Sequence, residues 1–321
     1  MKFQLPPAGT ILYKYYPPET MGRVLANGKT RFSPLIEFND PFELNTHVVN
    51  TFSEFEFGHA LANEIYEVLL SGEEISGSGP IVELVQAYVR GEIKDRSQYD
   101  FAMDLGVKMA RKKIIQVPSP LTQKVQLRLA KITGAFCLSE TFDNLLMWAH
   151  YAKNHEGFVL GIDPWQVGDA FRAMAPVSYQ KTYPTSEDAR SAASTYLGRE
   201  KGRQVSGAKI ADRWFFAKSK EWAYEREWRA IRDSGCDPVA DHKSYDINMQ
   251  LVDIPPAAMY SLHVGFRSSH EVAAEYVGRA REIHPNIKIF KCRPSSSAFS
   301  LDCQSYDDPW VSHYPPEDQI L

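Results

Sequence analysis

The sequence predicts an α+β fold with a mostly antiparallel sheet and a helical insertion near residues 53–133. Segments that favour strands occur at both ends of the chain, and helical segments lie between them at irregular intervals. No Gly-rich turn joins a predicted strand to a predicted helix. Because a doubly wound dinucleotide-binding fold needs a regular alternation and such a turn, we do not expect that fold.

The strands are predicted from short runs of β-favouring residues bounded by turn formers. The first, residues 10–16, ends at Pro17-Pro18, because proline lacks the amide hydrogen that a sheet ladder uses. A short helix over residues 19–26 is stopped by Asn27-Gly28. Further strands are predicted over residues 30–33, 134–138, 157–162, 175–181, 222–232, 259–266 and 287–293. The final Ser- and Pro-rich stretch is expected to be a surface-bound or mobile tail.

The insertion is predicted to be helical because apolar residues such as Leu61, Ile65 and Val68 recur at helical spacing. Helices are expected from residue 52 onward and over residues 82–90, 99–115, 121–132, 144–153, 208–218 and 271–283, and residues 185–206 are expected to form a surface helix and loop. With this insertion, residues 1–321 are interpreted as a single domain.

Composition is that of a soluble globular protein, with 44% hydrophobic and 24% charged residues. The net charge of −4 gives no overall attraction to nucleic acid. The four cysteines are not at metal-ligand spacing, so we expect no metal site and free thiols in a reducing cytosol. No apolar run suggests a signal peptide or a membrane span, which predicts a cytoplasmic protein without a membrane partner.

The segment Trp222-Ala-Tyr-Glu225-Arg-Glu227-Trp-Arg229-Ala-Ile231 is the most informative one for chemistry. In a strand, side chains alternate between the two faces, so Glu225, Glu227 and Arg229 would project from one face. Two carboxylates and a guanidinium on one ridge are unusual for a half-buried strand. The alternative is an edge strand with a solvated, charged face and an internal ion pair.

Four further groups are candidates for binding a ligand. Lys14 lies among Tyr13, Tyr15 and Tyr16, where its ammonium suits a phosphate, and Arg31 on the next strand suits the same anion. The alternative for Lys14 is a snorkelling side chain on a sheet face. The second group is Asn39 and Asp40, which lie in a turn-forming loop. The third group is His150 and Tyr151, which lie on one face of a predicted helix. Their alternatives are an Asx turn and a core histidine.

The basic residues of the helices form the fourth group. These are Lys108, Arg111, Lys112, Lys113, Lys124, Arg128 and Lys131. They suit the backbone of a nucleic acid, or else form an ordinary solvated face.

Several blocks, read in order, resemble the bacterial family called domain of unknown function 2971. They are Leu12-Tyr13-Lys14-Tyr15, Phe38-Asn39-Asp40-Pro41-Phe42-Glu43, Cys137-Leu138-Ser139-Glu140, Met147-Trp148-Ala149-His150-Tyr151, Gly157-Phe158 and Lys220 through Arg229. The resemblance spans about residues 10–293. More distantly, Lys14 or Arg31, then Ser139, then Glu225-x-Glu227 resemble the basic, hydroxyl and glutamate positions of ADP-ribosyltransferases, including toxins that modify DNA or RNA.

The second resemblance implies a split, mostly antiparallel sheet and NAD as a substrate. Glu227 would stabilise the oxocarbenium-like ribose and Glu225 would orient or deprotonate the acceptor. Arg229 would hold Glu227 ionised. The remaining implied contacts are Lys14 and Arg31 with the pyrophosphate, Ser139 with the carboxamide or ribose, and Tyr15, Trp148 or Tyr151 beside nicotinamide.

This resemblance also implies a toxin or phage-defence effector, a nucleic-acid or protein acceptor, and an antitoxin or other complex partner. Two other functions stay open. One is a non-catalytic module that binds nucleotides or nucleic acid. The other is a metal-dependent nuclease that uses Asp40, Glu43, Glu225 and Glu227.

Overall fold

The structure, a computed structural model, describes most of the chain. The described residues are 5–40, 42–43, 52–93, 97, 100, 103–104, 107–108, 130–131, 133–181, 189–199, 215–233 and 251–307. The chain forms two compact units. The sheet unit comprises residues 2–40, 127–179 and 218–321, and the helical unit comprises residues 1, 41–126 and 180–217. Whether the two make a single domain stays a prediction.

The strands alternate irregularly with helices, as the sequence predicts. They are β1 (Leu12–Tyr16), β2 (Lys29–Arg31), β3 (Ser33–Pro34), β4 (Thr133–Ser139), β5 (Phe158–Ile162), β6 (Met174–Pro176), β7 (Ser178–Gln180), β8 (Ala217–Ser219), β9 (Glu227–Asp233), β10 (Leu251–Asp253), β11 (Met259–Val264), β12 (Lys288–Pro294) and β13 (Leu301–Ser305). The α-helices are α1 (Pro18–Asn27), α2 (Glu54–Ser71), α3 (Pro80–Val89), α4 (Leu145–Tyr151), α5 (Pro164–Val167), α6 (Ala189–Leu197) and α7 (His270–Ile283). Short 3-10 helices include Leu35–Glu37 and Lys220–Glu225.

The main sheet holds nine strands among the described residues, in the order β13-β12-β11-β5-β1-β4-β9-β6, with β3 also on β4. β11 and β12 are parallel, and the other strand pairs with a known register are antiparallel. Two smaller sheets pair β2 with β10 and β7 with β8. The predicted α+β class and mostly antiparallel sheet are confirmed.

The sheet packs an apolar layer on each face. Tyr16 of β1 joins the cluster that contains Met21 of α1 and Val277 of α7. Its neighbour Tyr15 joins a second cluster that contains Trp148 of α4. Because successive residues of a strand face opposite sides, β1 is buried on both of its faces.

A gap opens in the sheet between β1 and β4. β1 pairs with β5 along all five of its residues, but its register with β4 is the single pair Tyr13↔Ser139. Toward its start, β4 pairs instead with β3 through Ser33↔Ala135. The two central strands therefore separate on one side of Ser139.

The helical unit has its own core, which α2, α3 and α6 supply through residues such as Leu61, Val82 and Ala193. α2 begins with a capping box in which Ser53 and Glu56 exchange hydrogen bonds. The predicted insertion thus contributes helices, and residues 180–217 add to the same unit. The predicted helices over residues 99–115, 121–132 and 208–218 lie largely outside the described residues. In the described part of the chain, no helix combines the length and the apolar character needed to cross a membrane.

Three expectations about the sheet unit were wrong. Residues 222–232 do not form one strand, because the 3-10 helix Lys220–Glu225 precedes β9. The supposed tail contains β13, which pairs with β12 through register pairs such as Cys292↔Cys303. Those two cysteines form a disulfide rather than free thiols, whereas Cys137 is free. Neither pairing was visible from the sequence because it depends on a contact between strands.

Candidate active site at the gap between β1 and β4

A cavity of about 410 Å³ opens where β1 and β4 separate. β1 contributes Tyr13, Lys14 and Tyr15 to its lining. The rest of the lining comes from β3 and the residues after it, from β4, α4, β8, the 3-10 helix Lys220–Glu225 and β9. Every lining residue belongs to the sheet unit.

The paired strands β4 and β9 present a polar face to this cavity. Ser139 lies opposite Glu227, and Cys137 opposite Arg229. The intervening pair, Leu138 and Trp228, packs into the apolar cluster on the other face. β9 lies between β4 and β6, and Glu227 and Arg229 are 5% and 1% exposed. The alternative of a solvated edge strand is therefore wrong, although its internal ion pair is present between Glu227 and Arg229.

A backbone kink brings Glu225 to the same cavity as Glu227. Glu225 ends the 3-10 helix, and Glu227 begins β9. Arg226 between them has a φ of 45°, in the left-handed region that a non-glycine residue seldom occupies. The Arg226 side chain does not line the cavity and forms an ion pair with Glu140. The convergence of the two glutamates thus depends on a strained residue rather than on strand alternation.

Lys218 is the centre of the charged cluster. Its ammonium lies 2.6 Å from Glu225 Oε2 and 3.5 Å from Glu227 Oε2. Arg229 holds the second carboxylate from the other side, with Nε 2.8 Å from Glu227 Oε1 and Nη2 3.0 Å from Oε2. The four side chains, each at most 5% exposed, form an alternating series of charges.

Burying four ions is expensive, because each loses several kcal/mol of hydration that its partners must offset. A purely structural site of this size is filled more cheaply by apolar side chains. Charged groups that are buried beside an open cavity are a common property of catalytic and binding sites.

The cluster keeps Glu227 ionised. Burial by itself raises the pKa of this carboxyl, but the charges of Arg229 and Lys218 and the hydrogen bonds from Arg229 and Cys137 outweigh it, so the pKa is lowered. Conversely, burial and the negative charge of Glu227 raise the pKa of the Cys137 thiol to about 12. Cys137 is therefore a protonated donor to the carboxylate and not a nucleophilic thiolate.

Glu225 is held by a hydrogen-bonded chain that starts outside the cluster. Asn39 Nδ2 donates to the Tyr151 hydroxyl at 3.1 Å, which donates to Glu225 Oε1 at 2.6 Å. Burial and the charge of Glu225 raise the pKa of Tyr151, so its hydroxyl keeps its proton. Two residues predicted from separate motifs, Asn39 and Tyr151, thus meet at one of the predicted carboxylates.

Lys14 adds a positive charge to the lining. Its ammonium lies 4.8 Å from the centre of the Phe136 ring. Among the described residues, no carboxylate forms an ion pair with it. Glu225 and Glu227 are offset by Lys218 and Arg229, and Glu37 pairs with Arg31. Lys14 therefore supplies the lining with a cation that has no carboxylate partner among the described residues, and such a cation suits an anionic group.

Ser139 lines the cavity, but its hydroxyl already has partners. Its Oγ donates to the backbone carbonyl of Glu225 at 2.7 Å and accepts from the amide of Thr141 at 3.1 Å. The hydroxyl fixes the kinked segment that carries Glu225. Contact with a ligand, which stays a prediction, would use the remaining lone pair of Oγ.

Three of the predicted binding residues do not line the cavity. Trp148 is completely buried, and its indole donates to the carbonyl of Phe142. Arg31 pairs with Glu37, and Asp40 is buried outside the lining. Of those that do line it, Tyr15 is 5% exposed and bonds the Thr141 carbonyl, which leaves little of its ring for stacking. Tyr151 and the exposed His150 are the aromatic groups from α4 that reach the opening.

Three contributors escaped prediction from the sequence. Lys218 falls in a segment with helical character, and its link to Glu225 depends on β8 and the following 3-10 turn. Cys137 occupies an apolar strand pattern. Tyr179, whose hydroxyl accepts the amide hydrogen of Glu227 at 2.8 Å, lies in a segment with no polar motif. Of the three, Cys137 alone could have been found from the sequence. It is two residues before Ser139 in a predicted strand, so the two side chains share a face.

Two of the four carboxylates named for a metal-dependent nuclease line the cavity, and that function stays a prediction. Of Asp40, Glu43, Glu225 and Glu227, the last two line the cavity, and each contacts a cation of the protein. In the described residues, the group of three that could hold a metal is His263, Cys292 and Cys303, none of which lines the cavity.

Part of the chain matches a known family. Residues 147–230 are similar to the family described as protein of unknown function (DUF2971). The matched segment includes Tyr151, Lys218, Glu225, Glu227 and Arg229, whereas β1 and Asn39 precede it. No curated protein and no solved structure matched the chain.

Proposed function

We propose that the cavity binds NAD and transfers its ADP-ribosyl group to an acceptor. The observation that carries this proposal is that two buried carboxylates, Glu225 and Glu227, both contact the ammonium of Lys218 beside an open cavity. Cleavage of the nicotinamide–ribose bond develops positive charge on the ribose. An ionised, prepositioned carboxylate stabilises that charge most effectively where water is excluded.

Glu227 has the properties of the stabilising carboxylate. Its lowered pKa keeps it negative at neutral pH, and its bidentate contact with Arg229 fixes its orientation. In the proposed step, nicotinamide departs with the electron pair of the broken bond. An oxygen or nitrogen of the acceptor then bonds to the ribose carbon and loses its proton.

Glu225 is proposed to orient the acceptor and take that proton. Tyr151 and Lys218 each donate to one of its oxygens, so the carboxylate is held in one orientation. Lys14 is proposed to neutralise part of the diphosphate, because its charge is not offset by a carboxylate among the described residues. The rings of Tyr151 and His150 are proposed to flank nicotinamide in place of Trp148.

The gap between β1 and β4 supports the proposed relation to the split sheet of ADP-ribosyltransferases. The acceptor is proposed to be a nucleic acid or a protein. Action as a toxin or phage-defence effector in the cytoplasm, with an antitoxin or other partner, belongs to the same proposal.

Incubation with NAD labelled in its adenine, together with a cell lysate, tests the proposal. We expect label on protein or nucleic acid and an equivalent release of nicotinamide. Glu227→Gln is expected to reduce both at least about a hundredfold, since it removes the stabilising charge. The matched control is Glu221→Gln, an exposed carboxylate in the 3-10 helix that precedes β9. Absence of both products with the unmodified protein would contradict the proposal.

A second candidate is a nucleotide-binding module without turnover. The observation that favours it is that Glu225, Glu227 and Ser139 all have protein partners already. This function predicts saturable NAD binding without nicotinamide release. It also predicts that Glu227→Gln leaves the affinity for NAD largely intact.

A further inference from the structure

A second cluster of reactive side chains lies outside the lining of the cavity, next to Tyr13, whose ring meets that of His263 at 5.8 Å. Cys292 on β12 and Cys303 on β13 are directly opposite each other and form a disulfide. His263 on the neighbouring strand β11 brings its Nδ1 to 3.9 Å from the Cys292 sulfur. One ligand atom from each of the three residues falls within 4.8 Å of the others.

The imidazole of His263 is held in a defined orientation. Its Nε2 is hydrogen-bonded to Ser261 Oγ at 3.1 Å, which directs Nδ1 toward the sulfur. The rings of Phe142 and Phe290 stack against it, with centroids 4.4 and 4.9 Å away. A histidine whose second nitrogen is fixed by a hydrogen bond is the usual arrangement at metal sites in proteins.

The spacing also fits a metal ion. Two ligands of a tetrahedral zinc ion, one sulfur and one imidazole nitrogen, lie about 3.6 Å apart. The distance of 3.9 Å between Cys292 Sγ and His263 Nδ1 is close to this value. Moving Cys303 away from Cys292 demands little of the fold, because β13 is the edge strand of the sheet.

We propose that the reduced protein binds one Zn²⁺ ion through His263, Cys292 and Cys303, and that the disulfide prevents this binding. Three protein ligands leave the fourth position of the ion to water. Cys303 is partly exposed and provides access, whereas Cys292 is buried. The cluster is then a zinc site that is controlled by the redox state of its own ligands.

A small dithiol serves as the reductant in this scheme. Its thiolate attacks the sulfur of Cys303, and Cys292 leaves as a thiolate with the electron pair of the broken bond. The second thiol of the reductant then displaces Cys303, so that the reductant becomes a disulfide and the protein gains two electrons. Zn²⁺ takes the place of the protons on the two thiols.

Zinc binding to the full chain, with and without prior reduction, tests this inference. After reduction and removal of the dithiol under anaerobic conditions, Zn²⁺ is titrated in competition with a chromophoric chelator. We expect one additional equivalent of bound Zn²⁺ in the reduced protein compared with the oxidised protein. Equal binding in the two states would overturn the inference, and this comparison needs no variant.

Substitutions assign the bound ion to the cluster. Cys303→Ser and His263→Ala are each expected to remove the additional equivalent, and Ser261→Ala to weaken it about tenfold by freeing the imidazole. His270→Ala, an exposed histidine at the start of α7, is the matched control and is expected to leave binding unchanged. Circular dichroism confirms that each variant is folded. Retention of the ion by folded Cys303→Ser and His263→Ala would overturn the assignment.

Discussion

At the residue scale, the charge of Glu227 is the property on which the site depends. Its carboxylate is buried, and two cations offset the loss of water. The same cations would be left without this partner if Glu227 lost its charge. The electrostatic balance that prepares the site for catalysis therefore also contributes to the stability of the fold.

This balance predicts how stability depends on pH. The pKa of Glu227 in the folded protein is lower than its ordinary value of 4.5. A carboxylate with a lowered pKa stabilises the folded state above the unfolded-state pKa, and this contribution is lost as pH falls through the lowered value. We expect the unfolding free energy to fall more steeply below pH 4.5 in the unmodified protein than in Glu227→Gln, as measured by urea unfolding.

The unmodified protein and Glu227→Gln are also expected to differ in stability at neutral pH. Glu227→Gln leaves a buried guanidinium without its carboxylate, which costs about 3 kcal/mol at pH 7. Glu221→Gln changes an exposed side chain and is expected to show the pH profile of the unmodified protein. Parallel profiles for all three proteins would indicate that Glu227 is not held ionised by its neighbours.

At the element scale, Asn144 links two elements that carry site residues. Its Oδ1 caps α4 by accepting the amide hydrogen of Met147 at 3.1 Å. Its Nδ2 donates to the carbonyl of Tyr224, next to Glu225 in the 3-10 helix. One side chain therefore positions the helix that carries Tyr151 against the segment that carries Glu225.

Asn144→Ala is expected to lower the unfolding free energy by about 2 kcal/mol, because it removes a cap and a second hydrogen bond. The control is Ser269→Ala, which removes the cap of α7 and is expected to cost about 1 kcal/mol. NAD turnover should fall about tenfold or more in Asn144→Ala alone, since small displacements of site residues are costly. Equal turnover in the two variants would exclude the positioning role.

At the scale of the whole molecule, local patterns predicted the elements and long-range contacts decided the site. β1, α1, β5, β11 and α7 follow from alternation, helical spacing and turn residues. The kink at Arg226 did not, because no Gly or Asn marks that position. Lys218 acquires its partners through a turn that the helical pattern concealed, and Cys292 meets Cys303 through strand pairing.

The sequence predicted those site residues that lie close together along the chain. Glu225, Glu227 and Arg229 were expected on one side, and they do reach one cavity. Trp148 has the large aromatic ring of a stacking residue, but its full burial depends on how α4 packs on the sheet. A sequence shows which side chains are reactive, and packing decides which of them reach a ligand.

The most direct test of the central claim is a crystal structure of Glu227→Gln, in which turnover is suppressed, soaked with NAD. We predict density for the dinucleotide in the gap between β1 and β4, with the ribose next to nicotinamide about 3 Å from the side chain at position 227. A phosphate is expected beside Lys14. A dinucleotide bound elsewhere, or an empty cavity at an NAD concentration that saturates binding in solution, would contradict the account.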